Sequence, residues 1–187
     1  MKVTIVLGTT RRGRQSVKAA DALIAYAKEH TTWELDLLDI AAFPFPVFEE
    51  RVSKLNNPNP LLVEFSNRLD AADALIFVVP EYNGSMPGAF KNAFDHFYKE
   101  YRQKPIGLVC VSDGKFGGIQ ASLQLQALIL HVFAFPMPRK WLVPFIDKAI
   151  DENGQVLDEQ VLKGLVAFCK DYQWFAEAIY RQKQLNG

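Results

Sequence analysis

Apolar residues along the chain follow two alternating periods. Short runs rich in Val, Ile and Leu occupy residues 3–7, 35–38, 74–79 and 106–111. Three of these are nearly continuous, the pattern of strands buried on both faces of a parallel sheet. A fifth, weaker run at 140–143 is bracketed by Pro138 and Pro144. Between the runs, apolar positions recur at helical spacing. One set is Val17, Ala20, Leu23, Ile24 and Ala27, and another is Phe90, Ala93, Phe94, Phe97 and Tyr101. Residues 118–133 form a further helix through Leu123, Ala127 and Leu130, and residues 61–71 a looser one. The clearest is Val161, Leu165, Phe168, Tyr172, Phe175 and Ile179. The order βαβαβαβαβα predicts an α/β fold in which helices cover both faces of a parallel sheet. Right-handed crossovers leave few topologies for it.

Residues 43–60 carry four prolines and two adjacent asparagines and read as a loop. Phe43, Phe45, Val47 and Phe48 are too apolar for a free linker and are expected to pack, a partner subunit being one candidate surface. The chain shows neither an internal repeat nor a low-complexity tract, and its 187 residues predict one domain spanning 1–187. Hydrophobic residues at 49% and charged residues at 22% argue against disorder. Twenty-one basic residues offset 21 acidic ones, so no whole-molecule field draws in a nucleic-acid backbone. The longest apolar stretch, 125–137, is broken by Gln126 and His131 and is shorter than the roughly 20 residues of a membrane span. The amino terminus lacks a secretion-signal pattern. Cys110 and Cys169 make no C-x-x-C pair and are expected to be core-facing thiols of a reducing compartment. Together these features predict a cytoplasmic protein that has no membrane span and no nucleic-acid partner.

In an open parallel sheet, ligands bind beyond the carboxyl ends of the strands. After the first strand comes GTTRRGRQS, residues 8–16, with glycines, hydroxyls and three arginines at a helix start. Unpaired helix N–H groups, the positive dipole end and these donors suit a phosphate. Three crowded arginines also repel one another unless an anion is present. The loop lacks the Gly-Lys-Ser/Thr ending of a P-loop and does not match G-x-G-x-x-G. After the third strand, residues 80–97 read PEYNGSMPGAFKNAFDHF. Pro80 and Asn83-Gly84 force a turn that presents Glu81, Tyr82 and Asn83, and Pro87 suits the first turn of the next helix. No second strand follows, so a hairpin is not expected there. The fourth strand leads into SDGKFGG, residues 112–118, whose glycines permit close approach to a planar ligand. One phosphate-suited loop beside two turn-rich loops describes a mononucleotide site, and flavin mononucleotide (FMN) fits it.

At these residues the chain resembles the NADPH-dependent FMN reductase family, of flavodoxin-like fold, over nearly its whole length. GTTRRGR resembles the family's G-S/T-x-R-x-G-R loop. PEYNGSMPGAFKNAFD is close to its long and specific P-x-Y-N-x-S-x-P-G-x-L-K-N-A-x-D stretch, with Phe90 where leucine is usual. SDGKFGGIQA resembles its S-x-G-x-x-G-G-x-x-A loop, with Asp113 in place of a smaller residue, and an arginine common in the next helix is a glutamine near Gln126. The resemblance implies a three-layer sandwich with a five-stranded sheet of order 2-1-3-4-5. It implies that Thr9, Arg11, Gln15 and Ser16 hold the FMN phosphate, and that Arg14 joins them or meets the nicotinamide cofactor. Pro80, Glu81, Tyr82, Asn83 and Gly84 would border the isoalloxazine, and Ser112, Gly114, Gly117 and Gly118 would close its other side. The implied activity is ping-pong hydride transfer from NADPH or NADH, through FMN N5, to a quinone, free flavin, azo compound or chromate. No side chain need act as catalytic acid or base, since the cofactor carries the chemistry. A homodimer or homotetramer is implied as well. Alternatives of other classes are a flavodoxin-like electron carrier, which the zero net charge weakens, and a non-catalytic FMN-binding regulatory protein.

His30, His96 and His131 lack metal-ligand spacing. Asp95 and His96 are adjacent on a helix and diverge by about 100°, so they read as solvent-facing rather than as an acid–base pair. Glu81 reads as a neighbour of the flavin held by its backbone, not a proton donor. Aromatics on more than one side of the helix at 90–101 suggest a subunit interface. Replacing Gly117 by valine is expected to block flavin entry and spare the fold.

Overall fold

The computed structural model describes residues 1–186. Five strands form one parallel sheet: β1 (Lys2–Leu7), β2 (Glu34–Asp39), β3 (Ala74–Pro80), β4 (Pro105–Val111) and β5 (Phe135–Val143). Their order is β2-β1-β3-β4-β5, as the resemblance implies. The central strands β3 and β4 are buried at every position, which accounts for their unbroken apolar runs. The helices are α1 (Ser16–His30), α2 (Pro60–Asp70), α3 (Gly88–Asp95), α4 (Ile119–His131), α5 (Ile146–Ala149) and α6 (Glu159–Asn186). α1 and α6 supply one core with Leu23, Phe168 and Tyr172, and α2, α3 and α4 supply the other with Phe65, Phe94 and Leu125. The side chains alternating along β1 split between these cores, Val3, Ile5 and Leu7 to one and Val6 to the other.

Several expectations need correction. β5 begins five residues earlier than its apolar run, at Phe135 instead of 140. Pro136 and Pro138 hid this start, and an edge strand tolerates both because its outer N–H groups have no neighbour to meet. α3 stops at Asp95, and a short 3-10 turn at Lys99–Tyr101 follows. This break turns Phe97 and Tyr101 inward, so Phe90, Phe94, Phe97 and Tyr101 are all buried within the chain. Of the five aromatics in this segment only Tyr98 stays partly exposed, with the Arg51 guanidinium 4.3 Å from its ring centre, so the surplus that suggests a subunit interface reduces to one side chain. His96 is buried too, at 2% exposure, and does not face solvent. Its Nε2 lies 3.2 Å from the Pro46 carbonyl, which also accepts from Asn92 Nδ2 at 2.8 Å. These two side chains clamp residues 46–48, while Phe43 and Phe45 pack edge-on against Phe65. The apolar loop therefore covers its own chain, apart from Val47, which is 82% exposed.

Candidate functional site

The first loop leaves β1 at Gly8, whose N–H donates to the Val78 carbonyl at 2.8 Å. A Cβ there would sit 2.7 Å from Phe90 Cδ2, so glycine lets α3 pack directly under the loop. The chain then climbs to α1. Gln15 is the N-cap, but its side chain does not bond the helix N–H groups; its Nε2 donates instead to the Gly13 carbonyl at 3.2 Å. Ser16, the first helical residue, is 1% exposed, and among the described residues its Oγ has no partner; Gln15 Oε1 is buried and equally unpaired. An unmade buried hydrogen bond costs about 1–3 kcal/mol. At a helix N-terminus, an unpaired hydroxyl is a ready donor to an anion.

The three arginines have different fates. Arg14 forms a bidentate pair with Asp39 at the end of β2, with Nη1 2.6 Å from Oδ1, and also donates to the Thr9 carbonyl at 2.6 Å. Asp39 thus relieves part of the repulsion assigned to an absent anion, and Arg14 braces the loop. Arg11 lies with Cζ 5.6 Å from the centre of the Tyr82 ring, and Arg12 is exposed. Neither joins an ion pair among the described residues.

In the second loop, Glu81 N–H donates to the Val111 carbonyl at 2.9 Å. The Glu81 carboxylate accepts from the backbone N–H groups of Gln120 at 2.9 Å and Ala121 at 3.3 Å. The residue before α4, its N-cap Gly118, offers no capping side chain, so Glu81 caps the helix from across the sheet edge. Asn83 and Gly84 both take positive φ, at 52° and 74°. Reciprocal Tyr82–Ser85 backbone bonds of 2.8 and 3.1 Å close them into the expected tight turn, an isolated bridge without flanking strands. Gln124 Nε2 donates to the Gly84 carbonyl at 2.9 Å and fastens the turn to α4.

The third loop is pinned to β5. Ser112 N–H donates to the Val143 carbonyl at 3.2 Å, and Ile146 N–H donates back to Ser112 at 3.2 Å. Gly117 and Gly118 are buried beneath the loop at φ of 59° and 84°. A Cβ on Gly117 would stand 2.9 Å from Val143 N, and one on Gly118 2.9 Å from Cys110 Cβ. Both glycines therefore serve packing of the loop on the sheet. Gly114 is exposed, and a Cβ there would meet only Ser112 Oγ at 3.9 Å. Burial pushes the Cys110 thiol up to about 12, so it keeps its proton at neutral pH.

These loops enclose a cavity of about 420 Å³. Arg11, Arg14, Gln15 and Ser16 line one end, and Pro80, Glu81, Tyr82 and Ser112 line the rest. Thr9 is buried behind it, Asn83 and Gly84 sit on the exposed turn, and Gly114, Gly117 and Gly118 lie outside its lining. Asp113, noted in the third-loop motif but given no role there, also lines it, as do Ile146 and Asp147, which the sequence reading leaves out. The signal for the last two was present, since both follow the fifth strand. A larger groove of about 760 Å³ between β5 and α6 is mostly apolar, and its Arg139 is closed on Asp171. It offers no free cation to a phosphate. Among the described residues, no cluster of His, Cys, Asp and Glu could hold a metal ion, and no helix is long and apolar enough to cross a membrane.

Comparisons with known proteins bear on the family and the fold. The family model for NADPH-dependent FMN reductases matches residues 1–148. An NAD(P)H-dependent FMN reductase of Pseudomonas aeruginosa is 30% identical over 165 residues, 86% of this chain and 86% of its own length. A 2-hydroxy-1,4-benzoquinone reductase of a Burkholderia species is 28% identical over 180 residues, 92% and 94% of the two chains. Among solved structures, the flavoenzyme NAD(P)H:(acceptor) oxidoreductase FerB of Paracoccus denitrificans superposes with a TM-score of 0.72 at 24% identity, covering 96% of this chain and 95% of its own.

Proposed function

Because the chain belongs to the NADPH-dependent FMN reductase family, we propose that it passes reducing equivalents from NADPH or NADH to a small acceptor in a ping-pong sequence. The acceptor is a quinone, free flavin, azo compound or chromate, and residues 1–187 act as one flavodoxin-like FMN-binding domain. One observation carries the reading. Of the helix starts at this sheet edge, α4 is already filled by the Glu81 carboxylate, whereas α1 keeps a buried, unpaired Ser16 hydroxyl. The site therefore suits one anion at one place, beside the unpaired Arg11.

The residues present fit FMN. Ser16 Oγ, the first N–H groups of α1 and Arg11 would hold its phosphate, with Thr9 behind them. The free Gln15 Oε1 is an acceptor matched to a ribityl hydroxyl. Backbone groups of residues 80–84 would border one side of the ring system, and Ser112 with the open Gly114 the other. FMN held by these residues would supply the redox chemistry, the uptake and release of reducing equivalents. The chain's contribution is geometry and fixed dipoles.

α4 shows Leu123 at 50% exposure and Leu130 at 61%, continued by Phe133 at 60%. We assign this stripe to self-association as a homodimer or homotetramer, which light scattering reads directly. The buried free thiols suit a reducing cytoplasm. Anaerobic NADPH oxidation by the FMN-loaded protein, with menadione as acceptor, tests the activity. Steady turnover with parallel double-reciprocal lines is expected. A yellow protein that oxidises no NADPH would contradict it.

A further inference from the structure

Tyr82 belongs to the loop that the FMN reading places beside the isoalloxazine, yet its contacts run to the other end of the site. Its hydroxyl lies 3.0 Å from Thr9 Oγ1 in the first loop. Its ring lies under the Arg11 guanidinium, with Cζ 5.6 Å from the ring centre, within cation–π range. Thr9 Oγ1 also accepts from the Arg11 backbone N–H at 3.3 Å. Arg11 is thus held at two points that both lead to Tyr82, through the aromatic face and through the threonine its hydroxyl engages. Tyr82 itself cannot drift, because its backbone closes the turn with Ser85 and Gln124 fastens that turn to α4. Thr9 is 1% exposed and equally fixed. Arg11 lines the cavity, has no carboxylate partner among the described residues, and on its own would be a flexible exposed side chain.

We infer that Tyr82 is a positioning residue for the phosphate end of the cofactor: its ring is the platform that aims Arg11, and its hydroxyl bond to Thr9 locks that platform. The inference rests on the FMN reading and adds to it a division of labour, in which a side chain from the ring loop serves anion capture. It also explains why the loop carries a tyrosine. Phenylalanine would supply the platform without the lock, and an aliphatic residue neither.

Titrations with FMN and with riboflavin, which has the ring but no phosphate, test this. Tyr82→Phe should weaken FMN by about threefold, the loss of one neutral hydrogen bond. Tyr82→Leu should weaken it by about tenfold, through loss of the platform. Riboflavin affinity should change by less than about twofold in both, since the coupling passes through Arg11. In an Arg11→Ala background, Tyr82→Leu should have little further effect on FMN. Parallel weakening of FMN and riboflavin would overturn the inference, and so would an undiminished effect of Tyr82→Leu in the Arg11→Ala background. If the unaltered protein binds neither flavin, the FMN reading itself falls. Binding of both by the unaltered protein, with equal losses in the variants, removes only the role of Tyr82.

Discussion

Glycines that look alike in a motif separate once their surroundings are known. Gly117 was expected to be an opening for flavin, but a Cβ at this position would strike the backbone at Val143, and its φ of 59° disfavours any β-branched residue. Gly117→Val should therefore destabilise the protein by about 2–4 kcal/mol, combining overpacking with left-handed strain. Its melting temperature should fall with or without FMN. Gly114→Val meets only Ser112 Oγ at 3.9 Å and should keep its melting temperature while losing FMN stoichiometry. An unchanged melting temperature for Gly117→Val would show that the loop repacks. Composition alone could not separate the two glycines, because both permit close approach and only the register of β5 decides which is covered. Asp39 was equally hidden. It pairs with Arg14, 25 positions away along the chain, and a lone aspartate at a strand end carries no local sign of such a partner.

At the scale of elements, loops and helices are joined across the sheet edge. Glu81 caps α4 in trans, and Gln124 holds the turn at Gly84. Glu81→Ala should cost about 1 kcal/mol, as capping losses do, visible as a lower urea midpoint of the FMN-free protein at unchanged slope. A midpoint equal to that of the unaltered chain would mean water replaces the carboxylate at no cost. The sequence was legible here to the extent that periodicity was intact. β3, β4 and α6 stand where their apolar patterns put them. α3 was read too long because Phe97 and Tyr101 keep helical spacing after the helix has ended. β5 was read too short because its prolines mimic a turn. The Asn-Gly turn stands where the sequence puts it, and no strand follows it; its two positive-φ residues need only the single Tyr82–Ser85 bridge to close.

For the whole molecule, two separate cores flank one sheet, and each buries a tyrosine completely enough to matter at high pH. Burial raises the Tyr101 and Tyr172 phenols well above their ordinary value, and the Tyr172 hydroxyl donates to the Leu75 carbonyl at 2.6 Å. The folded state holds these protons more tightly than the unfolded chain, whose phenols titrate near about 10. Their contribution is therefore full below that pH and is lost as pH rises past it. Phenolate absorbance should show two of the six tyrosines ionising only as the fold melts, and Tyr172→Phe should remove one of those late ionisations. Reversible ionisation of all six with the circular dichroism unchanged would contradict the packing. The chain's zero net charge belongs to this scale too, since a site that must attract an anion then depends on local placement alone.

That local placement is the central claim, and it is tested by titrating the flavin-free protein with FMN while following flavin fluorescence. The account predicts saturation at one FMN per chain, with affinity falling as salt rises and falling again by roughly tenfold or more in Arg11→Ala, the loss of a charge-assisted contact. A colourless protein that takes up no FMN, or one that binds it with no dependence on salt or on Arg11, would contradict the account.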